Sequence, residues 1–174
     1  AISGVLGKGS VYEVDLAKEL SNSLKPNDIA VFDRAYGAYK FMAELISENK
    51  QFVIRCQRKS FLEVQELFES DEKSISQVLT LWAPYNIIRK IKKTDLPDRI
   101  KVRLTKVTLD NGESEVLITS LTDEEEFSID DLKEIYRLRW CVETFFSKIK
   151  GRLSIENFTG KNLNSIKQDI WSTV

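Results

Sequence analysis

The chain has 174 residues, 42% of them apolar and 30% charged, with a formal net charge of −1. That is enough for one domain with a real core, or one domain interrupted by an insertion. No apolar run is long enough to span a bilayer and no basic-then-apolar leader opens the chain, which predicts a cytoplasmic protein with no membrane partner. The sequence has no His, which excludes a His-based triad and a His-ligated zinc. Chemistry must then run on Asp, Glu, Lys, Tyr or Ser, and carboxylates with a hard divalent cation lead.

In chain order, "AISGVLGKGS" reads as the tail of a strand entering a turn, with Gly7 and Gly9 as turn residues. A short helix is predicted around 14–23, followed by a turn at "KPND". "IAVFD" is a brief apolar run ending on Asp33, as a buried strand would. "AYKFMAELISEN" places Phe41, Met42, Leu45 and Ile46 at helical spacing, and "QFVIRC" is the next strand. Strand, helix, strand at this length makes a parallel crossover unit. Asp33 then stands at the carboxyl end of its strand, where open α/β sheets place their ligands.

From residue 57 to 126 the pattern becomes β-rich. "SISQVLTLW", "YNIIRKIKK", "RIKVRLTKVTL" and "ESEVLITSL" all read as short strands, the last two joined by a hairpin at Asn111-Gly112. Residues 89–106 carry eight Lys or Arg against two Asp, whereas "DEEEFSIDD" at 123–131 is strongly acidic. Such a basic run reads first as a solvated face and is also compatible with phosphate binding. A final helix starts at Ser128 as N-cap, with Asp130 and Asp131 in its first turn and Phe127 stapling onto Leu132. Gly151 fits the position past its end. The chain then stops at "IKQDIWSTV", within an apparent helix, which predicts a fragment of a longer protein.

On that helix Tyr136, Arg139, Glu143 and Lys150 fall within a stripe about 60° wide and about 21 Å long. Leu138, Val142, Phe145 and Ile149 form a separate apolar stripe assigned to the core, and Trp140 flanks the polar row. Glu143 and Asp33 could together hold metal; Arg139 and Lys150 could clamp phosphates, Tyr136 donate to one, and Trp140 carry an unstacked base. The same row also suits an ordinary solvated helix face.

The spacing Tyr-x2-Arg-x3-Glu-x6-Lys at Tyr136, Arg139, Glu143 and Lys150 resembles the "YREK" signature of bacterial insertion-sequence transposases of the Asp-Asp-Glu (DDE) class. "VFDRAYGAYKFMAEL" resembles that family's second-aspartate block, and "SIENFTGKNLNSIKQDIWSTV" the segment after the signature. The resemblance implies an α/β, ribonuclease H-like mixed sheet with flanking helices, interrupted by a mostly antiparallel β insertion. Residues 1–56 would be the first part of that core, 57–126 the insertion, and 127–174 its C-terminal helices. It also implies two Mg²⁺ or Mn²⁺ ions at DNA ends, nicking by water and strand transfer by a 3′-hydroxyl, in a bacterial, nucleoid-associated protein that dimerises on DNA. Asp33 and Glu143 match the second and third catalytic carboxylates, as metal ligands. Tyr136, Arg139 and Lys150 match positions that hold the DNA end; Trp140 stacks on a base, and Arg34 and Tyr36 support Asp33. Asp15, on a predicted helix, is a poor first Asp, so that residue is expected upstream of residue 1 and the fragment alone is expected to be inactive.

Among lesser residues, Trp82, Trp171, Phe145 and Phe146 are assigned to packing, and Cys56 and Cys141 to buried thiols rather than a disulfide. Arg55–Ser60 suits a phosphate contact or a sheet rim, and Arg89, Lys90, Lys92 and Lys93 suit a flexible solvated strand end first and a DNA contact second. Two rivals stand beside the transposase: a related nuclease or DNA-binding domain that no longer transposes, and a non-catalytic protein-interaction domain.

Overall fold

The structure, a computed structural model, describes residues 12–109 and 111–141 together with Thr144, Ser147, Ser165 and Gln168. Gly7, Gly9, Glu143, Phe145, Phe146, Lys150, Gly151 and Trp171 lie outside the described residues. Helix α1 (Glu13–Ser21) leads into strand β1 (Ile29–Phe32), a 3-10 turn (Arg34–Tyr36), α2 (Tyr39–Ser47) and β2 (Gln51–Arg55). Then come α3 (Leu62–Glu69), β3 (Ile75–Trp82), α4 (Tyr85–Ile91), β4 (Arg99–Thr108), β5 (Ser114–Thr119) and α5 (Ile129–Arg137).

The five strands form one mixed sheet in the order β1-β2-β5-β4-β3. β1 and β2 pair in parallel, as the crossover pattern predicts; every other neighbouring pair is antiparallel. Strands from the β-rich segment therefore extend the sheet that carries Asp33, with β5 hydrogen-bonded directly to β2.

Apolar runs explain the centre of this sheet. Phe52, Val53 and Ile54 of β2 and Val116, Leu117 and Ile118 of β5 are fully buried, so both faces of these strands are covered. On one face Phe52, Ile54, Val102 and Leu104 pack with Phe41, Met42 and Leu45 of α2, Val64 and Leu67 of α3 and Ile91 of α4. On the other, Val53, Val107 and Leu117 meet Leu132 and Tyr136 of α5. Each such aliphatic side chain contributes about 1.5–3 kcal/mol by leaving water.

Helix α5 begins as its sequence predicts. The Ser128 side chain accepts from the backbone N–H of Asp131, whose carboxylate accepts from the Ser128 backbone N–H. Phe127 packs into the cluster that contains Leu132. The hairpin also forms, with Gly112 at φ +85° and Leu109 N–H donating to the Glu113 carbonyl at 2.8 Å.

Several expectations are corrected. "YNIIRKIKK" is helical, not a strand: Pro84 stands at its N-cap, and Ile87, Ile88 and Ile91 point together into the α2 cluster. Their helical spacing overrides the β preference of isoleucine. Helix α3 lies within the stretch read as a mostly antiparallel β insertion, where no helix is predicted. Its Val64, Leu67 and Phe68, at helical spacing, pack against the core.

Leu138 is 58% exposed rather than part of the core. It stands two residues, about 200° of helical rotation, from buried Tyr136 and so faces away from the sheet. Cys141 is exposed too, whereas Cys56 is buried as expected, and both are free thiols. Trp82 is 59% exposed, on the same face of β3 as exposed Val78 and Thr80 and opposite to buried Leu81; the Arg99 guanidinium lies 5.9 Å from its ring centroid. No helix among the described residues is long and apolar enough to cross a membrane.

Candidate active site

Asp33 follows the last residue of β1 and caps the 3-10 turn, accepting from the Arg34 backbone N–H with Oδ1. Tyr36 N–H donates to the Asp33 carbonyl at 3.0 Å. The Tyr36 ring lies against Phe32 and Phe41, with centroids 5.4 and 6.1 Å away. Arg34 is exposed. The Arg34 backbone N–H holds the Asp33 side chain, the Tyr36 N–H holds its main-chain carbonyl, and the Tyr36 ring packs the turn against the apolar core.

Three other elements reach the same corner of the sheet. Arg55 ends β2, and its guanidinium pairs with the Glu115 carboxylate of β5 at 2.8 Å. Tyr136 and Arg139 come from α5 and its continuation, with Tyr136 only 4% exposed and its hydroxyl lacking a partner among the described residues. The Arg139 guanidinium lies 5.6 Å from the ring centroids of both Tyr136 and Trp140, and Trp140 is exposed.

The electrostatics tie these groups together. Burial pushes the Tyr136 hydroxyl above its ordinary pKa; Arg139 and Arg55 oppose the shift, while Asp33 and Glu115 add to it. Burial likewise raises the Glu115 carboxyl, against the pull of Arg55 and Arg139 and with added repulsion from Glu113 and Asp33. Asp33, Arg55, Glu115, Tyr136 and Arg139 therefore share one electrostatic environment built from four chain segments.

A family model for the transposase DDE domain matches residues 2–174. The chain belongs to that family. No curated protein matches it closely enough to add a relative. The five-stranded mixed sheet with flanking helices is consistent with the ribonuclease H-like fold of such transposase domains. The domain is thus the catalytic type of a DNA-processing enzyme, and DNA is the substrate its family implies.

Transposase domains of this family use divalent metal ions. Asp33 suits one ligand position, since its Oδ2 has no protein partner among the described residues while Oδ1 is held by Arg34. Among the described residues, no group of three or more acidic or thiol side chains could by itself enclose an ion. Any fuller ligand set would need carboxylates outside them, such as Glu143.

Glu115 was not among the predicted site residues of the transposase domain. Its signal is a lone carboxylate inside "SEVLIT", where strand alternation places it on the same face as Leu117 and Thr119. The basic run also divides. Arg103 and Lys106 are buried, Arg103 reaching Ser76 Oγ at 2.6 Å and Lys106 the Ser70 carbonyl at 2.6 Å. Arg89 and Lys90 stand on helix α4, not on a strand end.

Proposed function

We propose that the domain cuts and joins DNA at the ends of a bacterial insertion sequence, as a transposase of the YREK type. The observation that carries this reading is that Tyr136, in contact with Arg139 at a second signature position, lies within electrostatic range of Asp33 at the carboxyl end of β1. In this reading Asp33 and Glu143 are catalytic carboxylates that hold Mg²⁺ or Mn²⁺. Bound there, two divalent ions supply activation of the attacking oxygen and stabilisation of the leaving one.

The protein's own groups do the rest. Arg139 and Lys150 pair with phosphate oxygens, and Arg139 enters that task with its guanidinium already 5.6 Å from two aromatic ring centroids. Tyr136, whose hydroxyl has no partner among the described residues, donates it to a phosphate oxygen. Exposed Trp140 offers a face to an unstacked base. Arg34 and Tyr36 hold the turn that aims Asp33. Water attacks the phosphodiester and frees a 3′-hydroxyl, which then attacks a phosphodiester of the target strand. The reading assigns the family's first Asp to none of the described residues, since Asp15 lies within helix α1. Two copies on DNA, one per end, complete it.

Asp33→Ala in the full-length transposase is the direct test. It is expected to abolish nicking at the element's ends while leaving end binding in place. Cleavage that survives the substitution would remove Asp33 from the mechanism. DNA affinity indifferent to salt would favour a protein-interaction domain instead.

A further inference from the structure

Beside the Asp33 turn, a pocket of about 580 Å³ opens at the carboxyl end of β2. Its walls bring together Arg34, Arg55, Arg58 and Lys59, with Phe68 and Glu115. Four cations face one carboxylate, and that carboxylate is the least exposed of the charged groups there, with 7% of its side chain accessible. Burying a carboxylate so deeply costs several kcal/mol unless it is paired, so its presence calls for a reason.

The register supplies the geometry. Arg55 of β2 is directly opposite Leu117 of β5, and Glu115 stands two residues before Leu117 on the same face. Glu115 is thus the diagonal neighbour of Arg55, and the two side chains meet at 2.8 Å. This bond uses part of the guanidinium fork; its remaining N–H groups have no other partner among the described residues. The Arg58 guanidinium is held separately, 5.1 Å from the Phe68 ring centroid. The pocket therefore offers two guanidinium groups already held by neighbouring side chains, with donors of Arg55 left over, an arrangement suited to a phosphodiester.

We propose that Glu115 is a positioning residue, whose buried carboxylate fixes the Arg55 guanidinium in the pocket wall so that it receives a phosphate of the DNA strand approaching Asp33. The assignment rests on the transposase reading and adds to it a residue outside the signature. It makes an unusual demand: removing a negative charge must weaken DNA binding.

The test measures binding of a fluorescein-labelled mixed-sequence DNA duplex by the full-length protein, as a function of salt. Glu115→Gln is expected to raise Kd about tenfold, and Glu115→Asp to recover part of that loss. In an Arg55→Gln background, Glu115→Gln should change nothing further. Should Glu115→Gln fail to fold, Arg55→Lys, which keeps the charge and loses the fork, should give a comparable loss. Unchanged or tighter binding by Glu115→Gln, or by Arg55→Lys where that variant replaces it, overturns the proposal. If Arg139→Ala still weakens binding in that case, the transposase reading stands without it. If the wild-type protein binds no DNA, both fall together.

Discussion

The guanidinium of Arg139 rests 5.6 Å from the ring centroid of Tyr136, one helical turn earlier. The aromatic face holds the cation before any DNA arrives, which lowers the ordering cost of binding. Arg139→Ala is expected to weaken DNA binding and to reduce the slope of log K against log salt by about one. Arg139→Lys should restore less than half of the lost affinity, because ammonium neither stacks nor forks. Fluorescence anisotropy across a salt series checks both.

Arg103 tests a different kind of cation. Its guanidinium is 1% exposed, donates to Ser76 Oγ at 2.6 Å, and donates to the Phe127 carbonyl just before the Ser128 cap of α5. The nearby Glu124 carboxylate, at 3.6 Å, is half exposed and adds little. Arg103→Ala is expected to cost about 2–4 kcal/mol of stability, since it removes the hydrogen bonds of a buried guanidinium and empties a large volume. Urea unfolding measures this. A near-zero change would mean that α5 is anchored by its apolar face alone.

At the hairpin, Gly112 has φ +85°, and a Cβ there would meet nothing within 4 Å. Any cost of Gly112→Ala is therefore backbone strain rather than collision, about 1 kcal/mol. Gly112→Asn should cost less, because Asn tolerates this region better. Thermal unfolding of the pair of variants gives the comparison.

Cys56 and Cys141 should separate chemically. Cys141 is exposed and should label rapidly with a thiol reagent in the native protein, whereas Cys56 should label only on unfolding. Burial pushes the Cys56 thiol up to about 12 from its ordinary value of 9.0. Between those values the unfolded chain releases this proton and the folded protein keeps it. The Cys56 contribution is therefore fully present below pH 9 and is lost as pH rises toward 12, at up to about 1.4 kcal/mol per pH unit. Urea midpoints of the wild type and Cys56→Ala should converge over that range.

Much of this architecture can be read from the residues. β1, α2 and β2 declare themselves because their apolar runs and helical spacing agree with their burial, and Ser128 marks its helix through a local hydrogen-bond pattern. α4 does not, because three isoleucines carry a β preference that only packing against α2 overrides. The row on the last helix is legible in spacing but not in depth. Its geometry groups Tyr136 with the cations, yet Tyr136 is buried and Leu138 exposed, since the sheet and not hydrophobicity chooses the packed face. Glu115 is harder still. Its partner Arg55 comes from another strand, and no local pattern announces that pairing.

The β2–β5 seam also governs when the corner beside Asp33 can assemble during synthesis. Thr119 Oγ1 bonds the Phe52 carbonyl across 67 residues of chain, and the same seam brings Arg55 to Glu115. Closing so long a loop is slow compared with forming the β4–β5 hairpin. A nascent chain can display Asp33 and Arg55 long before β5 leaves the ribosome, but without its opposite wall. Assembly of the corner is thus a late folding event, and a ribosome stalled ahead of Ser114 would carry only half of the corner.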